Sequence, residues 1–267
     1  MLPIVLIKNK YTHYEHYIDD SVEVCFDNYG KINYTIYIVY YINCECNDNW
    51  FSWLVNQINL VITMDSTIYI ISTIHQSKES EFREKVLRYF PNVIIECYYE
   101  NEYEYRGIKK IWELGQIHNK SNDILLYFHS KGITRNPSYE SNKNDGYNII
   151  LDDIEKIKEI FTIFPKIDKV GFSTGGIGLI WYNFWYVRGS YINNVEKPIK
   201  TTRRHYYEDY ISRKVKCDND KYCSYERPIS YYENTLDSCY GFATDKKTIK
   251  NIGTYYDPSD NVWYTKY

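Results

Sequence analysis

Between Thr35 and Gly132 the chain alternates short, densely apolar runs with longer amphipathic ones. TIYIVYYI (35–42) is a near-continuous run of β-branched and aromatic residues, the pattern of a central strand buried on both faces. After a CECNDN loop, FSWLVNQINLVIT (51–63) has helical spacing, and TIYIIST (67–73) again reads as a strand. SKESEFREKVLRYF (77–90) predicts a helix opened by a serine N-cap, NVIIECYY (92–99) a strand and YRGIKKIWELGQIH (105–118) a helix. ILLYFHSKG (124–132) is a fourth strand. The order β-α-β-α-β-α-β implies right-handed crossovers and a mostly parallel, doubly wound α/β sheet. Beyond it, LDDIEKIKEIFTIF (151–164) predicts an amphipathic helix and KVGFSTGG (169–176) a strand running into a glycine turn. Residues 180 to 267 are aromatic and irregular, with no strand legible among them. After LPIVLI the first 33 residues are polar and tyrosine-rich, an N-terminal extension that reads as a hairpin.

The fourth strand ends in His129, Ser130, Lys131 and Gly132. In open α/β sheets ligands bind in the crevice outside the carboxyl ends of the strands. An imidazole, an ammonium and a glycine at such an end suit an anionic ligand brought close to the backbone. The plainer alternative is a strand that turns on its glycine, with His129 packed and Lys131 solvated.

Composition narrows the class. Of 267 residues, 44% are hydrophobic, enough for one large α/β domain, and no apolar run approaches a membrane span. A net charge of −3 argues against nucleic acid as partner. The 32 tyrosines, beside scarce alanine, match AT-rich coding bias and carry little weight as stacking platforms. The opening segment lacks a secretory signal pattern, so a cytoplasmic setting is expected. The seven cysteines fit no zinc spacing and read as free thiols.

Four pieces, in order, carry a family resemblance: IYIVYYI-x-C with its tryptophan-rich helix, YEYRGIKKIWEL, DILLYFHSKGITR, and YNFWYVRGSYI with RRHYYEDYISRK downstream. They resemble GT-A-fold glycosyltransferase-like proteins found in giant viruses and in bacterial polysaccharide clusters. The likeness spans roughly residues 35 to 215. It implies a nucleotide-diphospho-sugar transferase-like fold moving a sugar from a nucleotide-sugar donor to a glycan or other hydroxyl acceptor, with inversion, in the host cytoplasm if the source is viral. Residues 1–33 would then be an extension, 34–215 the catalytic domain and 216–267 a C-terminal subdomain packed on it. Two departures stand out. Leu179 and Tyr182 replace a histidine and a glycine, and HSK stands where such enzymes carry D-x-D for Mn²⁺ or Mg²⁺. The metal ligands are therefore unassigned; the chain's D-x-D, Asp218 to Asp220, reads as a solvated turn.

On this reading His129, Ser130, Lys131 and Gly132 bind the donor, Lys131 meeting the diphosphate charge. Arg106 and Lys109 open a helix whose N-terminus favours anions. Tyr41 and Asp48 flank the loop where the base sits in GT-A folds. Trp181, Asn183, Trp185 and Tyr186 are the acceptor candidates, because aromatic faces stack on sugars; the same rings equally suit a core. RRHYYEDYISRK offers Glu208 by the family pattern, or Asp209, as catalytic base. Arg203, Arg204 or Arg213 would reach the diphosphate if that segment folds back. A mixed-charge surface helix is the alternative. Two other functions are compatible with the sequence: a catalytically inactive sugar- or nucleotide-binding module, and a structural interaction protein.

Overall fold

The dense apolar runs become the centre of one sheet, and their alternation decides which helices cover each side. The computed structural model describes residues 4–12, 15–24, 32–62, 65–135, 151, 154–163, 169–171, 183–202, 205–208, 210–212, 239–243, 253–257 and 262–266. In chain order the strands are β1 (Ile4–Thr12), β2 (Glu15–Val24), β3 (Thr35–Asn43), β4 (Ser66–Thr73), β5 (Ile94–Tyr98), β6 (Asp123–His129), β7 (Lys169–Gly171), β8 (Trp185–Arg188), β9 (Cys239–Ala243), β10 (Gly253–Asp257) and β11 (Val262–Lys266). The helices are α1 (Trp50–Asn59), α2 (Glu79–Tyr89), α3 (Tyr105–Ile117), α4 (Ile154–Ile163), α5 (Gly189–Ile192) and α6 (His205–Glu208).

The strand order is β11-β10-β2-β1-β9-β7-β8-β6-β3-β4-β5. β6, β3, β4 and β5 are mutually parallel, as the alternating pattern requires. The rest of the sheet is largely antiparallel: β8 pairs so with both β6 and β7, and only β7 with β9 is parallel outside that group among the described pairs. The opening residues form an antiparallel hairpin, β1 with β2, bulged between Lys8 and Asn9. That hairpin joins the sheet through β9, so strands from both ends of the chain are integral to it.

Period-two alternation sorts the side chains. Ile36, Ile38, Tyr40 and Ile42 of β3, with Ile124, Leu126 and Phe128 of β6, pack under Trp53 and Leu54 of α1, Phe82 of α2 and Phe161 of α4. Val39 and Tyr41, with Leu125 and Tyr127, face Ile108, Ile111 and Leu114 of α3 and Tyr206, Tyr207 and Tyr210 around α6. Helices on both faces make the sheet doubly wound. The third-strand expectation (92–99) shortens to Ile94–Tyr98, and the first helix stops at Asn59 rather than continuing to 63. Among the described residues no helix is long and apolar enough to cross a membrane.

Among the described residues of 180 to 267 there are four strands, where the sequence read as irregular chain. WYVR forms the buried β8, with Trp185 and Val187 on the α3 side and Phe184 and Tyr186 on the other. Two buried cations brace this region. Lys169 donates from Nζ to the Tyr191 hydroxyl (3.0 Å) and the Ile211 carbonyl (3.3 Å). Arg188 donates to the carbonyls of Ser121 (2.5 Å) and Phe161 (2.7 Å).

The close approach of α5 to the end of α3 leaves no room for a side chain at its first residue. A Cβ on Gly189 would lie 1.9 Å from the His118 carbonyl oxygen, which is backbone and cannot swing aside. Gly189→Ala is therefore expected to destabilise the fold by roughly 2 to 3 kcal/mol, the range for a forced core overlap. Denaturant titration would check this; an unchanged midpoint would show that the two turns can separate freely.

Candidate functional site

β3 and β6 lie side by side in register from Thr35 opposite Asp123 to Tyr41 opposite His129. From β3 the chain crosses to β4 on one side, while β6 lies on the other, so the order reverses between them. A crevice forms where neighbouring connections diverge in this way. The two loops that border it are tied together. Ser130 N–H donates to the Tyr41 carbonyl (3.0 Å), and Asn47 Nδ2 donates to the Ile133 carbonyl (2.9 Å). Gly132 has φ 87°, a left-handed conformation in which a side chain is disfavoured. It turns the chain back so that Arg135 N–H reaches the Gly132 carbonyl at 2.8 Å. From below, Gln57 of α1 accepts from the Tyr40 hydroxyl (2.8 Å) and donates from Nε2 to the His129 carbonyl (3.5 Å).

Two further elements deliver side chains to the same edge. α3 begins there because it follows the carboxyl end of β5. β8 begins there because it runs antiparallel to β6, with Trp185 opposite Tyr127. Glu104, just before α3, meets both neighbours. Its Oε2 accepts from the Tyr127 hydroxyl (3.1 Å) and from Asn183 Nδ2 (2.9 Å), and its Oε1 lies 3.8 Å from His129 Nδ1. Asn183 Nδ2 also donates to the Tyr207 carbonyl (3.1 Å). Burial, then the Glu104 charge, drives the Tyr127 hydroxyl well above its ordinary range, so it remains a hydrogen-bond donor to that carboxylate. The helix can approach this closely because of Gly107, where a Cβ would meet Tyr41 Cβ at 2.8 Å and the Tyr127 ring at 2.9 Å.

The residues singled out from the sequence fare unequally. His129, Ser130, Lys131 and Gly132 stand together at the crevice, Ser130 buried and the others partly so. Tyr41 does not offer its ring to a ligand. It is 4% exposed beneath α3, its hydroxyl shares a 3.1 Å hydrogen bond with Thr73, and burial raises its pKa. Asp48 is exposed on the loop after β3. Arg106 is paired with the buried carboxylate of Glu102, which also pairs with Lys200, and its guanidinium lies 4.3 Å from the centre of the Tyr98 ring. Its charge is thus already met by protein. Lys109 sits 3.4 Å from Glu113 one turn on. Trp185 and Tyr186 are fully buried on opposite faces of the sheet, which corrects the acceptor-stacking expectation: neither ring has a face to present. Asn183 is buried against Glu104 instead. The Glu208 backbone lies in α6 beside the buried Tyr206 and Tyr207, but its side chain lies outside the described residues. So do Trp181, Asp209, Arg203, Arg204, Arg213 and the segment Asp218 to Asp220.

Glu104 was missed as a site residue, although YEYRGIKKIWEL contains it. The available signal was its position, immediately before the helix that follows a strand's carboxyl end.

The loop after β3 also holds two thiols of different character. Cys44 is buried against Ser72 (3.4 Å), and burial pushes its thiol up to about 12, whereas Cys46 is exposed. Only thiolates alkylate readily. Peptide-resolved alkylation of the native protein at pH 8 should therefore label Cys46 and spare Cys44 until denaturant is added; prompt labelling of Cys44 would show that this loop opens.

No family model matches the chain. No curated protein matches it in sequence. Among solved structures, the chain is similar to 4-diphosphocytidyl-2C-methyl-D-erythritol synthase from Anaerococcus prevotii at 11% identity and a TM-score of 0.35, over 69% of this chain and 85% of that one.

Proposed function

We propose that the chain is a glycosyltransferase of GT-A type, transferring a sugar from a nucleotide-sugar donor to a hydroxyl of a saccharide acceptor with inversion. The observation that carries this reading is the pairing of the β3 and β6 ends at the sheet's topological reversal, with the His129–Gly132 turn lying on the crevice. A sugar transfer needs fixed positive charge where the diphosphate departs, and Lys131 on a turn held to β3 supplies an ammonium there. His129 and Ser130 belong to the same turn and complete the donor side. Trp181 remains the acceptor candidate.

Among the described residues no group of three or more His, Cys, Asp or Glu side chains is arranged to hold a divalent metal. The lysine standing where a metal-binding carboxylate would sit also favours a second reading, a module that binds the nucleotide-sugar without turning it over.

Thermal shift against UDP, GDP, TDP and CMP and their sugar derivatives, each with and without Mn²⁺, tests the reading. A ligand at one hundred times its Kd adds about 2.7 kcal/mol to native stability, so one nucleotide class should raise Tm by several degrees. Lys131→Ala should weaken that ligand by about ten- to a hundredfold, the loss of one charge-assisted contact, without lowering the Tm of the free protein. Silence across the panel at millimolar ligand would overturn the transferase and binding-module readings together.

A further inference from the structure

Backbone strain and an unmet polar atom converge on one carboxylate. Among the described residues, Tyr103 (φ 53°) and Asn183 (φ 56°) are the non-glycine residues with positive φ. Left-handed backbone is unfavourable for Tyr103 and persists there only where the surroundings enforce it, whereas an asparagine such as Asn183 adopts it more readily than other non-glycine residues. Tyr103 immediately precedes Glu104, and Asn183 hydrogen-bonds to it.

The Asn183 amide can be oriented in only one sense, because Nδ2 faces two acceptors, Glu104 Oε2 and the Tyr207 carbonyl. Its Oδ1 is consequently left buried without a partner. Glu104 itself occupies the N-cap position of α3 yet makes no capping hydrogen bond. The side chain is turned away from the helix it could cap and held by Tyr127 and Asn183, from two other elements. A carboxylate serving only the stability of α3 would not need that arrangement. Both holding bonds fall on Oε2, and Oε1 is the oxygen on the His129 side, 3.8 Å from Nδ1, a separation too long for a hydrogen bond and one that a ligand hydroxyl would bridge. The Glu104 side chain is 18% exposed and that of His129 12%, so the pair is not sealed from solvent.

We propose that Glu104 is the catalytic base, binding the acceptor hydroxyl at Oε1 and taking its proton; this rests on the transferase reading above. As the proton passes to Oε1, the acceptor oxygen uses its freed lone pair to bond the anomeric carbon. The bond from that carbon to the diphosphate oxygen breaks, and its electron pair leaves on the nucleoside diphosphate beside Lys131. Attack from the face opposite the departing group inverts the anomeric centre. Tyr127 and Asn183 keep Oε2 occupied, so the hydroxyl meets a single oxygen in a fixed direction. Glu208 and Asp209 then have no part in the proton transfer.

The test uses the full chain with the nucleotide-sugar found by thermal shift, and follows nucleoside diphosphate release with a panel of mono- and disaccharide acceptors. Wild type, Glu104→Gln, Glu208→Gln and Asp209→Asn are compared. Glu104→Gln should keep the donor-induced Tm shift and lose about a hundredfold or more in release, the scale of a missing general base. Release by folded Glu104→Gln within about threefold of wild type overturns the assignment while leaving the transferase reading intact, as does a comparable loss confined to Glu208→Gln or Asp209→Asn. Should Glu104→Gln fail to fold, Glu104→Asp replaces it; kcat should fall about tenfold with donor binding unchanged, and kcat within about threefold of wild type overturns the assignment. Wild-type protein that binds donor but releases no nucleoside diphosphate with any acceptor overturns the transferase reading and the Glu104 assignment with it, in favour of the binding module.

Discussion

The parallel pairing of β3 with β6 is the contact on which the rest depends. Both strands are apolar on both faces, so neither can lie at an edge or against water, and burial of each requires a helical layer on either side. That requirement places α1, α2 and α4 on one face and α3 and the α6 segment on the other. The same pairing brings the residues after Tyr41 and after His129 into one rim. A one-residue slip would exchange Ile38 with Val39 and Leu126 with Tyr127 between the two layers, overturning every contact of both cores.

Charge is distributed around this rim in two ways. Arg106, Glu102, Lys200 and Glu100 form a chain of neighbouring opposite charges on the α3 side. Glu102 is almost wholly buried within it, and removing either cation would leave a carboxylate short of a partner in a poorly hydrated place. Glu104, two residues on, is instead held by neutral donors. Two carboxylates so close in sequence thus have opposite surroundings, one neutralised and one directed.

The alternating core was legible because each strand and helix there is long enough for its periodicity to show, and because burial on both faces writes itself as an unbroken apolar run. β8 was not, because four residues cannot display a period, and the aromatic rings that mark a core also mark a binding platform. NFWYVR reads either way until β6 is known to lie beside it. The His129–Gly132 turn was visible from its local chemistry. The Glu104 constellation depends on contacts spanning 23 and 79 residues, which no local pattern encodes. Arg106 misled for a different reason: its helix-start position favours anions, but the anion it meets is Glu102, only four residues earlier in the chain. Positive φ occurs at Tyr103 and Asn183, around the site, and at no other described non-glycine residue.

The seating of the first hairpin has a consequence for synthesis. Residues 4 to 24 are synthesised well before the strand that joins them to the rest of the sheet, β9, with Val5 opposite Ala243. At about 5 to 20 residues per second, the hairpin waits on the order of ten to fifty seconds for that partner, with both edges open, because β10, which pairs with β2, comes later still. Cotranslational folding can complete the β3–β6 centre in that interval, but joining β1 to β9 demands a very long loop closure, the slowest kind of contact to make. The nascent protein therefore carries an unpaired hairpin until β9 has been made, and an edge of that kind is where a chaperone, or a second nascent chain, would engage first.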